Sequence, residues 1–354
     1  MKTVSLFSGA GGLDEGLRRS GFDIVLANEL DPGFCASHAA NFPETQIFQG
    51  SVTDLTDERL QNLLGTSPSI DLLAGGPPCP PYSKSRFYRK DMPRGLDDPV
   101  GAETLAGYLN TLKTLRPRAF LLENVAGMSF GVHKAALDSV VATAEDLGYT
   151  VKWKVLNAAD YGVPQIRQRL FVIGVKGGGF EWPRPTHAKK PDDSQGNATK
   201  AWMTAGEAIG DLDTEENAVD TGHFAGGKHH DLLEQIPPGQ NYLFFTSERN
   251  HPDPQFKWRS RYWSFLLKLS PDLPSWTIQA RRSNNMGPLH WRNRILRVEE
   301  VMRLQTFPDD WKLTGRIESQ WRQVGNAVPP LLALKLGEAI KRALSQQPAQ
   351  TGMT

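Results

Sequence analysis

Short apolar runs alternate along residues 1–180 with stretches whose apolar positions recur every three or four residues, a pattern that predicts strands and helices in turn. Residues 3–7, 24–27, 69–73, 119–122 and 151–156 are strand-length runs, most of them bounded by Gly, Asn, Asp or Pro. Residues 13–19 put Leu13, Gly16 and Leu17 on one side of a helix. Residues 103–115 repeat Leu105, Leu109, Leu112 and Leu115 before Pro117 ends the helix, and residues 134–147 form another. Strands alternating with helices predict an α/β domain. From about residue 182 to 288 the pattern dissolves into loops rich in Pro, Gly, Asn and His, so a domain boundary is expected near 185. Order returns with an amphipathic helix over 297–308 and a final helix from about 330 to 344, after which the tail is expected to fray.

At 354 residues the chain can hold a full α/β domain and a smaller second one. Lys+Arg number 40 against 39 Asp+Glu, a formal net charge of +1, so affinity for a polyanion must come from local clusters of basic residues. Only Cys35 and Cys79 occur, and no run approaches the ~18 apolar residues of a membrane span. The first residues run straight into a strand pattern without a signal-like segment. A protein of a reducing compartment, the cytoplasm, is expected.

The chemistry gathers at the ends of the strand-like runs. Residues 69–73 lead into Ala74, Gly75, Gly76, Pro77, Pro78, Cys79, Pro80, Pro81, Tyr82 and Ser83, where prolines and glycines restrict the backbone on both sides of one thiol. Cys79 reads either as a nucleophile at the carboxyl end of a strand or as a small buried hydrophobe. Phe7, Ser8, Gly9, Ala10, Gly11 and Gly12 form a glycine-rich turn between strand and helix, either a nucleotide-type site or a structural turn. Glu29 ends the second strand, where acids commonly meet ribose hydroxyls, and Glu123 ends residues 119–122. Cys35 reads as packing. Gln165, Arg167 and Arg169 alternate, so at a strand start they would share one face as a donor-rich wall, unless they are only a solvated edge. Lys84, Arg86, Arg89, Lys90 and Arg94, interleaved with Phe87 and Tyr88, suit a loop over a nucleic-acid backbone. Within the irregular segment, the stretches with Arg259 and Arg261 and with Arg281 and Arg282 combine basic, aromatic and amide groups, as a reader of phosphates and base edges needs. His223, His229, His230 and His251 lack ligand spacing and nearby cysteines, so no metal is expected.

In this order the segments closely resemble the DNA (cytosine-5)-methyltransferases over nearly the whole chain except about 185–275. Residues 7–12 look like the family's S-adenosylmethionine loop, Glu29 like its ribose acid, Pro78-Cys79 like its nucleophile motif and Glu123-Asn124-Val125 like its Glu-Asn-Val. Gln165, Arg167 and Arg169 match its Gln-x-Arg-x-Arg, and Gly325-Asn326-Ala327-Val328 its last motif. Pro80 and Tyr82 stand where the family usually has Gln and Phe, and Ser51 where it has Asp. The resemblance implies a Rossmann-like S-adenosylmethionine-dependent methyltransferase domain, with a mostly parallel sheet and helices on both faces. Beside it stands a smaller, loop-rich target recognition domain. The expected bounds are 1–180 for the first catalytic part, 185–288 for target recognition, 289–345 for the return to the catalytic domain and 346–354 for the tail.

By the same resemblance Cys79, Glu123, Arg167 and Arg169 are catalytic. Phe7, Ser8, Gly9, Ala10, Gly11, Gly12, Glu29, Leu30, Ser51, Val52, Gly76, Pro78, Asn326 and Val328 hold S-adenosyl-L-methionine. Ser83, Lys84, Arg86, Gln165, Arg259, Arg261, Arg281 and Arg282 bind DNA. The chemistry agrees: cytosine C5 is too poor a nucleophile until a thiolate adds at C6, and the ring charge then needs an acid at N3, such as a partly desolvated Glu. The base must leave the duplex for this. Double-stranded DNA is the expected partner, with a cognate restriction endonuclease acting on the same site, and a monomer is expected. A tRNA cytosine methyltransferase would carry a Cys-Phe-Thr tripeptide, which is absent, and a silent binding module would need neither the thiol nor Glu-Asn-Val.

Overall fold

Five parallel strands make up most of the main sheet: β1 (Lys2–Leu6), β2 (Asp23–Glu29), β3 (Gln46–Gln49), β4 (Leu72–Gly75) and β5 (Ala119–Val125). The computed structural model describes residues 1–66, 69–78, 97–191, 198–214, 222–227, 229–259 and 262–346. Two further strands, β6 (Tyr149–Asn157) and β7 (Gln168–Lys176), complete a sheet of order β3-β2-β1-β4-β5-β7-β6, with β7 antiparallel to both its neighbours. Leu72, Leu73 and Ala74 are wholly buried, as are Phe120, Leu121 and Leu122, which explains why these strands read as continuous apolar runs. β6, at the sheet edge, instead exposes Lys152, Trp153 and Lys154.

Alternation assigns the two faces. Val4, Leu6, Leu73, Phe120 and Leu122 join one apolar core with Leu105, Leu109 and Leu112 of α4 (Pro99–Leu115) and Leu137 and Val140 of α5 (Lys134–Asp146). The intervening Ser5 points the other way and donates to Asp14 of α1 (Gly12–Arg19) at 2.6 Å. Helices therefore cover both faces. Against α1 lies the last helix, Pro330–Ser345, so closely that a Cβ on Gly16 would collide with Pro330 O and Ala333 Cβ. α4 begins earlier than periodicity predicts because Asp98 caps it, accepting from Val100 N at 3.1 Å, and Pro99 supplies a ready helical φ.

The chain leaves β1 toward β2 and β3 on one side and comes back to β4 on the other. This reversal puts the carboxyl ends of β1, β2, β4 and β5 around a common crevice, where open α/β sheets hold their ligands.

The chain divides into one compact unit of residues 1–157, 168–184 and 330 onward, and a second of Ala158–Arg167 and Pro185–Pro329. The second unit starts where the sequence pattern changes but runs on to 329 instead of 288, and it also takes in 158–167. The reason is packing. Helices Val298–Leu304 and Ile317–Asn326 bury their apolar sides among the irregular loops, with Trp321 Nε1 donating to Gln279 O at 2.8 Å. Inside this unit Arg294 donates to both oxygens of Glu300, at 2.8 and 2.6 Å, and all of it is buried beside His290.

Candidate functional site

The first unit gathers two carboxylates at the crevice. Glu29 ends β2, and its carboxylate accepts from Gly9 N at 2.9 Å, Leu30 N at 2.8 Å and Asp31 N at 2.9 Å. Three amides fix it. Gly9 and Gly11 have φ of 59° and 87°, a left-handed conformation costly to any residue with a Cβ, and nothing lies within 4 Å of where a Cβ on Gly9 would be. Gly11 leaves the α1 N-terminus without a side-chain cap. Leu30 exposes 68% of its surface next to the carboxylate, an apolar side chain beside a fixed acceptor. Oε1 accepts two of these amides and Oε2 one, so Oε2 keeps a lone pair for a hydroxyl. This cradle fits the ribose and aminoacyl ends of an S-adenosylmethionine-like group.

Other residues expected at this cradle contribute differently. Ala10 is buried, and Ser8 anchors the turn by donating from its backbone to Asn28 O at 3.0 Å. Phe7 takes a positive φ of 55°, which turns the chain out of β1. Ser51 caps the turn at Val52–Asp54, accepting from Thr53 N at 3.3 Å, so its hydroxyl is engaged locally. Val52 is a core side chain against Gly107 and can offer a ligand only backbone.

Glu123 sits on β5 with 5% of its surface exposed, and its Oε1 pairs with Arg169 Nε of β7 at 3.1 Å. The antiparallel register sets Val125 opposite Arg169. A Cβ on Gly76 would lie 2.8 Å from Glu123 Oε2, so the loop after β4 starts against this carboxyl only because residue 76 is glycine. Asn124 Nδ2 donates to Pro77 O at 3.2 Å and tethers the same loop, a role that its place between Glu123 and Val125 did not announce. Pro78 follows at the limit of description. Cys79, Ser83, Lys84 and Arg86 lie outside the described residues, as does Arg261.

The expected wall of Gln165, Arg167 and Arg169 does not form on one face. Gln165–Ile166 pairs in parallel with Ser275–Trp276, whereas Arg169 belongs to β7 in the main sheet. Gln165 is wholly buried, donating to Gln305 Oε1 at 2.9 Å and accepting from Ile278 N at 3.1 Å, so its amide joins loops of the second unit. Arg167 is 1% exposed and donates to Ile278 O, Gly325 O and Ala327 O at 2.9 to 3.1 Å. It holds the second unit's own loops. Such a guanidinium is in place only if its charge meets several carbonyls.

Asn326 is exposed at the end of its helix and Val328 is buried, both in the second unit. Arg259 and Arg281 are exposed, and Arg282 is tied to Gly222 O at 2.5 Å. Cys35 is buried under Glu29 O, and burial, then the Glu29 carboxylate, pushes its thiol up to about 11. It is an inert thiol. Among the described residues no group of three or more His, Cys, Asp or Glu is arranged to hold a metal, and no helix is long and apolar enough to cross a membrane.

Residues 1–342 match the family model described as C-5 cytosine-specific DNA methylase. The chain is 37% identical to the Type II methyltransferase M.SacI of Streptomyces achromogenes, over 98% of this chain and 93% of that protein. It is 34% identical to the Type II methyltransferase M1.HphI of Haemophilus parahaemolyticus, over 95% and 86%. Among solved structures, a DNA modification methyltransferase encoded within an E. coli prophage aligns with a TM-score of 0.70 and 22% identity, covering 98% of this chain and all of that one. The Dnmt2 methyltransferase of S. pombe aligns at 0.61 with 15% identity, over 97% and 98%. At those identities the two structures speak for the fold alone.

Proposed function

This chain belongs to the C-5 cytosine-specific DNA methylase family, and from that premise we propose that Cys79, Glu123 and Arg169 carry the reaction while Glu29 and the Gly9–Gly12 turn hold the methyl donor. S-adenosylmethionine, when bound, supplies an electrophilic methyl group. The Cys79 thiolate adds to C6 of a cytosine turned out of the duplex, forming the S–C6 bond, and Glu123 delivers a proton to N3 so that the ring electrons collect at C5. C5 then takes the methyl group, whose bond to sulfur breaks and leaves a neutral thioether. The C5 proton passes to water, the S–C6 bond breaks to release the Cys79 thiolate, and the N3 proton returns to Glu123, which restores the aromatic ring. Arg169 holds the Glu123 carboxyl in one orientation and offers further N–H donors to the ring oxygen.

The observation that carries this reading is the approach of Gly76 to Glu123. It sets the start of the Pro-Cys loop against the one buried acid at the end of β5, three residues before Cys79. Pro78 and Leu30 complete the first unit's part of the proposed cofactor site.

The second unit from about Pro185 is proposed to choose the DNA sequence, with Arg259, Arg261, Arg281 and Arg282 among its contacts and Ser83, Lys84 and Arg86 on the loop beside the reacting base. The names of the two relatives support a Type II setting, and with it we propose a monomeric, cytoplasmic enzyme that modifies double-stranded DNA at the site of a companion endonuclease. Bisulfite sequencing of DNA from a host expressing the chain tests the function. One recurring sequence should hold a conversion-resistant cytosine; full conversion everywhere would refute the reading.

A further inference from the structure

The second unit contains a cavity of about 310 Å³ that the reaction above does not use. Its walls include the rings of Tyr242, Phe256, Tyr262 and Phe265 and the Gln255 amide, and among the described residues Lys257 and Arg259 supply its charges. The rings are locked edge to face: Tyr242 and Phe256 at 5.9 Å between centroids, Phe256 and Phe265 at 5.5 Å. The basic segment is fixed as well, since the Tyr242 hydroxyl accepts from Arg259 N at 2.9 Å and donates to Arg259 O at 2.6 Å. An aromatic box with two cations and no carboxylate among its described lining residues suits a planar ring carrying phosphate.

The shape narrows the choice. A stacked duplex presents phosphates on its ridges and base edges in its grooves, but the faces of its bases are covered by their neighbours. Only a base out of the stack can offer a face to ring walls inside a cavity, and such stacking is worth about 1–3 kcal/mol per base. Lys257 and Arg259 would then neutralise the flanking phosphates. We propose that this cavity receives one nucleotide of the DNA substrate outside the stack, distinct from the reacting cytosine, with its base among the four rings and its phosphates at Lys257 and Arg259. The proposal rests on the reading of the chain as a DNA methylase.

The test uses the full chain and a duplex bearing the modified sequence found by bisulfite sequencing. Tyr262→Ala and the pair Lys257→Gln with Arg259→Gln change side chains at the mouth of the cavity, where folding is least at risk. Each should weaken duplex binding about ten-fold or more, and the double variant should lower the slope of log affinity against log salt by roughly 2. S-adenosylmethionine affinity, measured by calorimetry, should stay unchanged and certifies the fold. 5-Iodouracil placed at each position of the duplex in turn should photo-cross-link, at one position, to the peptide containing Tyr262. Unchanged duplex affinity in both variants overturns the proposal. Binding of free dTMP that both variants abolish, with duplex affinity intact, assigns the cavity to a free nucleotide and overturns it equally. If the wild-type protein modifies no cytosine, the methylase reading fails first, and the two failures are thereby separated.

Discussion

Arg169 Nε lies 3.1 Å from Glu123 Oε1, across the antiparallel pairing of β7 with β5. A planar guanidinium holds a carboxyl in one plane in a way that an ammonium cannot. With Nη1 donating to Gln168 O at 2.8 Å, the arginine is itself anchored. Arg169→Ala should lower the methyl-transfer rate by about 10²–10³, the loss typical of one preorganised donor. Arg169→Lys should recover only part of it. Single-turnover kinetics with saturating S-adenosylmethionine measures this, and a wild-type rate in Arg169→Ala would remove the pair from the reaction.

Glu29 meets three backbone amides and closes the turn at Gly9. Glu29→Ala removes the acceptor for the ribose hydroxyls, at about 1.5–3 kcal/mol for a charged hydrogen bond. Calorimetry should show S-adenosylmethionine affinity lower by about ten-fold or more. An unchanged affinity would move the ribose contact elsewhere.

His290 is buried beside Arg294 and Glu300, and burial is the main cause holding its imidazole down to about 4 from an ordinary 6.5. The unfolded chain therefore binds a proton that the folded one refuses throughout the interval from pH 6.5 to about 4. Stability is fully present above 6.5 and falls through that window, by about 1.4 kcal/mol per pH unit at most. Burial pushes Glu300 up, but the Arg294 hydrogen bonds, the neighbouring positive charge and the Arg297 amide together hold it below the usual carboxylate value, and it loses its contribution at the acid end of the same range. Thermal unfolding followed from pH 8 to 4.5 should show this decline, and His290→Gln should flatten it. Equal slopes in both proteins would contradict it.

Much of the first unit was legible because its strands are buried on both sides and so read as apolar runs, and because glycine, proline and acids stand at their ends. The placement of Glu29 against Gly9 and of Glu123 beside Gly76 follows from parallel strands ending at one edge. The shared face expected of Gln165, Arg167 and Arg169 fails for a physical reason. Alternation assigns faces only along a continuous strand, and here the pairing passes from Ser275–Trp276 to the main sheet between Ile166 and Gln168, so adjacent odd positions face different surroundings. The helix Val298–Leu304 looked like the return to the first domain, but periodicity reports a buried side and not what covers it; Gln305, buried beside Gln165, shows that the cover is the second unit. The cavity around Tyr242 and Phe265 was invisible, since its rings come from separate segments without a shared period.

The central claim is the bond between Cys79 and cytosine C6, and a duplex with 5-fluorocytosine at the target position tests it most directly. Fluorine at C5 lets the methyl group in but cannot leave as a proton does, so elimination stops and the protein stays joined to the DNA. Wild-type protein with S-adenosylmethionine should give a complex that survives denaturation, with the DNA on the peptide containing Cys79. Glu123→Gln should form it far more slowly, in keeping with the ~10²–10⁴ typical of general acid catalysis. Cys79→Ala should give none. A trapped peptide that mapped to Cys35, or full methylation by Cys79→Ala, would contradict the account.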